Sequence, residues 1–270
     1  MRAMADSQPF APAPPPSAGV FFEARELNLS FGGVHAVRDV NLHVERGEVL
    51  ALIGPNGAGK TSVLNLVTRV YDASSGSIHF EAQDLTRVPR HEIVRHGIAR
   101  TFQNIALFEG ATVLENLLLG RHRAGHGSVL AQMLNLPSVQ RAEAQTRRCV
   151  EDVVCLLELA PVRHRPVSEL PYGVRKVVEL ARALASGPRL LLLDEPASGL
   201  NAEETRQLAG WIEDIRIELG VTIVMVEHDM SLVSAVARRV VVMEQGSVLM
   251  TGSAAEVQSD PRVIAAYLGT

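Results

Sequence analysis

The octapeptide Gly54–Thr61, GPNGAGKT, sets glycines, a lysine and a threonine in the arrangement G-x-x-x-x-G-K-[ST]. Glycine lets the backbone of Gly54, Pro55, Asn56, Gly57, Ala58 and Gly59 curl until successive N–H groups face an anion at a helix N-terminus. Lys60 is then expected to reach the β- and γ-phosphates of a nucleoside triphosphate, and Thr61 to offer its hydroxyl to Mg²⁺. Ser62 is within reach of the α-phosphate. A glycine turn without a ligand is the alternative, and the surrounding elements argue against it.

A second constellation supplies carboxylates. Four leucines, Leu190–Leu193, run directly into Asp194 and Glu195. A run without polar alternation suits a strand buried on both faces. Such a strand delivers its acids to the C-terminal edge of a sheet, where open α/β folds bind ligands. Asp194 is expected in the Mg²⁺ shell, and Glu195 beside the attacking water.

The elements that must position these groups follow from the pattern. Val49–Ile53 reads as a buried strand before the glycine loop, with a helix after it. Earlier, Val20–Phe31 reads as a strand, and Val34–Val37 and Val40–Val44 as two more short ones; Gly76–Phe80 is another. Later, helix 174–186, strand 189–194, helix 202–219, strand 221–226, helix 230–238 and strand 240–243 alternate. That spacing predicts a parallel sheet. Residues 104–168 are rich in Leu, Glu and Arg without β-branched runs, which predicts an inserted helical subdomain. The remaining ordered residues, 19–103 with 169–270, are then the candidate nucleotide-binding core.

Composition agrees. The 270 residues are 47% hydrophobic but only 4% aromatic, a profile that suits a buried sheet covered by helices. A net charge of −4 gives no global reason to expect a nucleic-acid partner. Residues 1–18 hold five prolines and no long apolar run, so a disordered tail is expected there rather than a signal peptide. No stretch approaches the roughly 20 apolar residues of a membrane span. Cys149 and Cys155 are too few for a disulfide framework and, six apart on a helix, face different ways.

Five features in this order resemble the ATP-binding cassette (ABC) family: Gly54–Thr61, the Gln103 of RTFQN, the Leu170–Val174 turn of LPYGV, Asp194-Glu195, and the His228 of VEHDM. The resemblance covers about residues 20 to 268. It implies a P-loop ATPase core with a mostly parallel sheet, an antiparallel β subdomain and an inserted helical subdomain. It also implies that Gln103 senses Mg²⁺ and contacts a membrane partner, and that His228 contacts the γ-phosphate. Ala197–Asn201 is then the loop that touches the opposite subunit. Phe31, 23 residues before Gly54, matches the position whose ring stacks on adenine; a core phenylalanine is the alternative. FGGVHAV, RTFQNIALFEGATVLENLLLGRH and AEVQSDPRVIAAYLG are similar to the ATPases of branched-chain amino acid uptake systems. Related systems for urea, short amides or aromatic acids share much of the pattern.

For such a family the expected partners are two polytopic permeases, a second ABC ATPase (usually a paralogue in this branch) and, indirectly, a periplasmic binding protein. The expected place is the cytoplasmic face of the inner membrane. Rival readings are a soluble ABC ATPase acting on nucleic acid or ribosomes, and a nucleotide-binding regulator without turnover. The first usually has two cassettes or a long coiled coil, and the chain has neither. Against the second stand the intact Lys60, Asp194, Glu195 and His228.

The family's signature turn is usually Leu-Ser-Gly-Gly-Gln, and it completes the ATP site of the opposite subunit. Here it reads Leu170, Pro171, Tyr172, Gly173, Val174. Tyrosine before the second glycine is familiar in this branch; Pro171 and Val174 are departures. Proline is tolerated in a first helical turn, but it brings neither a hydroxyl nor an N–H to a γ-phosphate. His122 and His126 share the i, i+4 spacing of a metal pair, yet Gly125 and Gly127 disfavour a helix there, so a solvated loop is expected.

Overall fold

The computed structural model describes residues 20–81, 83–103, 105–121 and 137–268. His122, His126 and the N-terminal tail lie outside them. Strands β1 (Val20–Phe31) and β2 (Val34–Glu45) pair antiparallel, joined by the turn at Gly32-Gly33. Strand β2 is one strand where the sequence suggested two. The apparent break at Asp39 is a bulge: its φ is +44°, and the register slips between Leu27↔Val40 and Leu29↔Val37. Asn28 Oδ1 accepts the Asp39 N–H at 3.0 Å, and Asn41 Oδ1 accepts the Glu26 N–H at 2.9 Å. Two asparagines thus satisfy backbone groups that the irregular ladder leaves over. Strands β4 (Ser75–Phe80) and β5 (Gln83–Asp84) complete this sheet in the order β2-β1-β4-β5.

The second sheet has six strands. They are β3 (Val49–Ile53), β6 (Ile98–Arg100), β7 (Leu190–Asp194), β8 (Thr222–Val226), β9 (Arg239–Glu244) and β10 (Ser247–Gly252), ordered β10-β9-β3-β8-β7-β6. All neighbours are parallel except the β9–β10 hairpin. Every residue of β3, β7 and β8 is buried, as expected of central parallel strands sealed on both faces. Helix α1 (Lys60–Val67) buries Val63, Leu64, Leu66 and Val67 in a core that also takes Phe22, Leu27, Ile78 and Phe80 from the antiparallel sheet. Ion pairs tie distant segments together. Glu81 holds both Arg46 and Arg189, and Arg239 grips Glu48 through Nε at 2.8 Å and a terminal nitrogen at 2.9 Å.

Two compact units emerge. One comprises the described residues up to Gln103 with those from Arg189 onward; the other comprises those between, ending at Pro188. The latter holds helices α2 (Val113–Arg121), α3 (Pro137–Leu156) and α4 (Tyr172–Ala185). It therefore includes α4, which the sequence reading gave to the ATP-binding core. The reason is packing: Leu117 of α2, Val150 and Val153 of α3, and Val178, Ala181 and Leu184 of α4 are all buried, and a Cβ on Gly120 would come within 2.5 Å of the Arg182 carbonyl oxygen. On α3, Cys149 is buried and Cys155 exposed, as the spacing indicated. Among the described residues no helix is long and apolar enough to cross a membrane.

Helix α5 (Ala202–Glu218) opens on a capping box. Asn201 Oδ1 accepts the N–H groups of Glu203 and Glu204 at 2.9 and 3.0 Å, and Glu204 returns a bond to the Asn201 N–H at 2.8 Å. Asn201→Ala should lower stability by about 1 kcal/mol, read as a shift of the urea midpoint. The remaining elements are α6 (Met230–Val236), α7 (Ala254–Ser259) and α8 (Pro261–Leu268).

Candidate functional site

Gly54 directly follows strand β3, and the chain leaves the strand there in a conformation only glycine adopts, with φ +147°. A Cβ there would lie 2.1 Å from the Met243 carbonyl oxygen. Gly59, just before α1, has φ +96°, and a Cβ on it would lie 2.5 Å from the Ala36 carbonyl oxygen. The loop is thus walled by backbone of β9 and β2, and no side chain fits at either position. Its outer flank is held by the β9–β10 turn, where the Gly246 N–H donates to the Ala58 carbonyl at 3.1 Å. From α8, the Tyr267 phenol is raised by burial, and the Gly54 N–H, hydrogen-bonding to it, opposes that shift.

Lys60 is buried, and its Nζ donates to the carbonyls of Gly54 at 2.7 Å and Pro55 at 2.9 Å. Burial lowers its pKa, while the carboxylates of Glu195 and Asp194 oppose the shift. The lysine Nζ therefore stands inside the loop, held by its carbonyls. Thr61 is exposed and Ser62 half-buried at the start of α1.

Asp194, at the end of β7, is only 2% exposed. Its Oδ2 accepts from an Arg100 terminal nitrogen at 2.6 Å. Arg100, from the adjacent strand β6, also donates to Asn65 Oδ1 at 2.7 Å and Thr68 Oγ1 at 3.3 Å. Oδ1 of Asp194 is buried with no hydrogen-bond partner among the described residues. A desolvated carboxylate oxygen left over in this way fits a cation or its bound water. With the Thr61 hydroxyl and the Gln103 amide, the donors are all hard oxygens, which suit Mg²⁺ held jointly with phosphates. Among the described residues no group of three or more His, Cys, Asp or Glu could hold a metal ion.

Glu195 sits in the left-handed region at φ +49°, and its N–H donates to the Val226 carbonyl at 2.9 Å. Its Oε2 accepts from Gln103 Nε2 at 3.1 Å. Non-glycine residues held there concentrate at functional sites. The fold therefore gathers Lys60, Gln103, Asp194 and Glu195 at the C-terminal ends of β3, β6 and β7. His228 follows β8 with an exposed ring, its Nδ1 3.8 Å from the Glu227 carboxylate. Asp229 caps α6; Ser231, through its hydroxyl and N–H, holds that carboxyl below its usual range.

Phe31 is 48% exposed at the end of β1, and its ring meets Tyr71 edge-on with centroids 5.0 Å apart. That exposure excludes the core alternative. In the helical unit, Leu170 is buried and Pro171 is the N-cap of α4, with no side-chain cap bond. The helix still begins, because the Pro171 carbonyl accepts the Arg175 N–H at 3.0 Å. Tyr172 is exposed, and Gly173 and Val174 are half-buried in the first turn.

Two residues of the site went unread in the sequence: Arg100, the partner of Asp194, and Glu227. Both carried a usable signal. Arg100 is a cation closing the apolar pair Ile98-Ala99, and Glu227 an acid directly after an apolar run, as Asp194 is.

Comparison with known proteins gives a consistent set of likenesses. Residues 37–198 match a family model described as ABC transporter. Residues 247–270 match one described as branched-chain amino acid ATP-binding cassette transporter. The chain is 40% identical over 247 residues to the high-affinity branched-chain amino acid transport ATP-binding protein BraF of Pseudomonas aeruginosa, covering 92% of this chain and 97% of that protein. It is 39% identical over 243 residues to LivG of Escherichia coli K12, covering 90% and 95%. Among solved structures, a nucleotide-free ATP-binding cassette from an ABC transporter superposes with TM-score 0.82 at 28% identity, over 93% of this chain and all of that one. The ADP conformation of the cassette MJ1267 gives the same values.

Proposed function

Because the chain belongs to the ABC transporter family of ATPases, we propose that it is the ATP-hydrolysing subunit of an importer for branched-chain amino acids or a close chemical relative. The observation that carries this reading is the single cluster at the strand ends. Lys60 lies within the glycine loop, Asp194 keeps one oxygen without a partner, and Gln103 is bonded to Glu195. The match of residues 247–270 supports the substrate class.

In this reading the loop N–H groups and Lys60 bind the phosphates, Phe31 stacks on adenine, and Ser62 supports the α-phosphate. Mg²⁺, held by Thr61, Asp194 and Gln103, would neutralise phosphate charge. Glu195 orients the attacking water and accepts its proton, while Gln103 fixes the carboxylate. His228 holds the γ-phosphate. Two such ATPases sandwich two nucleotides, each ATP lying between one subunit's phosphate loop and the other's signature turn. Two permeases follow the closing and opening from the cytoplasmic face of the membrane, and a periplasmic binding protein delivers the solute. An exposed cleft on the helical unit, with Phe108 and Leu119 on its walls, is an apolar surface suited to a permease. Removing the chain from its host should abolish uptake of labelled leucine, isoleucine or valine, and wild type but not Glu195→Gln should restore it. Unaltered uptake of all three would remove the substrate class and leave the ATPase.

The signature adds an asymmetry. Pro171 contributes neither hydroxyl nor N–H, so the turn retains the Gly173 N–H and the positive end of α4, each worth about 1 kcal/mol or less when exposed. Since that turn serves the partner's nucleotide, the weaker site in a heterodimer is the partner's. Restoring the pair Pro171→Ser and Val174→Gln should speed turnover when Glu195 is disabled and leave it unchanged when the partner's catalytic acid is disabled. The reverse pattern would sink the assignment.

A further inference from the structure

Glu227 is wholly buried at the end of β8, and its two oxygens serve two different loops. Oε1 accepts the Ala197 N–H at 2.8 Å. Oε2 accepts the N–H groups of His228 at 2.8 Å and Asp229 at 3.1 Å. The Glu227 N–H itself donates to the Leu52 carbonyl at 3.2 Å, on the strand that feeds the glycine loop. Ala197 begins the turn after Glu195, in which the Ser198 N–H returns to the Glu195 carbonyl at 3.1 Å and the Leu200 N–H to the Ala197 carbonyl at 3.0 Å. One buried carboxylate therefore lies between the backbone that carries His228 and the backbone that follows Glu195.

The chemistry of the donors explains why the residue is an acid. All three partners are backbone N–H groups, so both side-chain oxygens must accept. A carboxylate does this with charge-assisted bonds, which also compensate its removal from water. Glutamine offers one accepting oxygen and one NH₂, and the NH₂ would face an N–H donor. It can satisfy one loop but not both.

We infer that Glu227 is a positioning residue that locks the His228 loop to the Ala197–Asn201 turn, so that the two shift as one piece when nucleotide is hydrolysed. It touches no substrate and acts through His228 and the turn after Glu195. The inference rests on the reading of Glu195 and His228 as hydrolytic residues.

The test uses the full chain and two independent readouts. In the unsubstituted protein, the amides of Ala197, His228 and Asp229 should exchange with solvent deuterium at rates within about threefold of one another after correction for intrinsic rates. In Glu227→Gln, exchange should rise about tenfold or more in at least one of the two loops. Turnover per binding-competent molecule should fall about tenfold, with MgATP affinity within about threefold. Widely different amide protection in the wild type, or unchanged exchange in both loops of the variant, would overturn the lock. Altered exchange with turnover within about twofold of wild type would overturn its part in hydrolysis. Exchange needs no turnover, so a failed lock and a failed ATPase reading give different results.

Discussion

Glu195→Gln should bind MgATP with a Kd within about threefold of wild type while releasing phosphate at least about a hundredfold more slowly. Glutamine keeps an oxygen for the Gln103 amide, which now donates to Glu195 Oε2 at 3.1 Å, so the local geometry survives. What is lost is the base, and with it acceptance of the water's proton. Lys60 and the loop glycines do not depend on that carboxylate for their shape, since Lys60 is held by the Gly54 and Pro55 carbonyls. The effect therefore belongs to kcat. Binding is measured by titration with a fluorescent nucleotide and turnover by phosphate release. Retention of more than about a third of wild-type release would remove Glu195 from the proposed role.

Arg100→Leu should cost about 3–5 kcal/mol of stability, through the charge it strands. Arg100 and Asp194 side chains are 5% and 2% exposed, so water cannot take over from the missing guanidinium. Removing both partners should hurt less than removing one: Arg100→Leu with Asp194→Leu would recover part of the loss, though without Mg²⁺-dependent turnover. Arg100→Lys should not restore the wild-type value, because a single ammonium cannot span Asp194, Asn65 and Thr68 at once. Urea melts of the four proteins decide the matter. A loss under about 1 kcal/mol for Arg100→Leu would mean that the carboxylate is neutral or solvated.

The parts of the site that were legible in the sequence are those whose chemistry is local. Eight consecutive residues make the phosphate loop, and four leucines with two acids make strand β7 and its end. The alternation of strands and helices from 189 to 244 was readable within a residue or two because each strand there has an apolar centre, whereas β10, with Ser247 and Thr251, and helices α7 and α8 were not read. The antiparallel sheet was less so. The bulge at Asp39 interrupts alternation inside a continuous strand, and the asparagines that stabilise it sit on the same pair of strands out of phase. Arg100 and Glu227 escaped notice because their meaning lies in distant partners. Arg100 meets Asp194 across 94 positions, and Glu227 meets Ala197 across 30. Neither spacing leaves a periodic trace. The helix after Pro171 was read from 174 and begins two residues earlier, at Tyr172, since proline is compatible with a position just before the first turn.

The strand that feeds the phosphate loop, β3, lies between β8 and β9, and this has a bearing on how the protein is made. Both neighbours come from the last fifty or so residues of the chain, while β3 ends at Ile53. During synthesis, five wholly apolar residues must wait with both edges unpaired until β8 has been made, and with one edge still unpaired until translation has passed Glu244. Two groups that flank the loop, Met243 and Gly246, belong to that same hairpin and wait with it. A chain halted between the phosphate loop and that hairpin carries every residue of the loop without the strand that walls it, and exposes a sticky strand to its neighbours. Nucleotide affinity should therefore appear abruptly as nascent chains lengthen past the hairpin, rather than grow with the length of the chain.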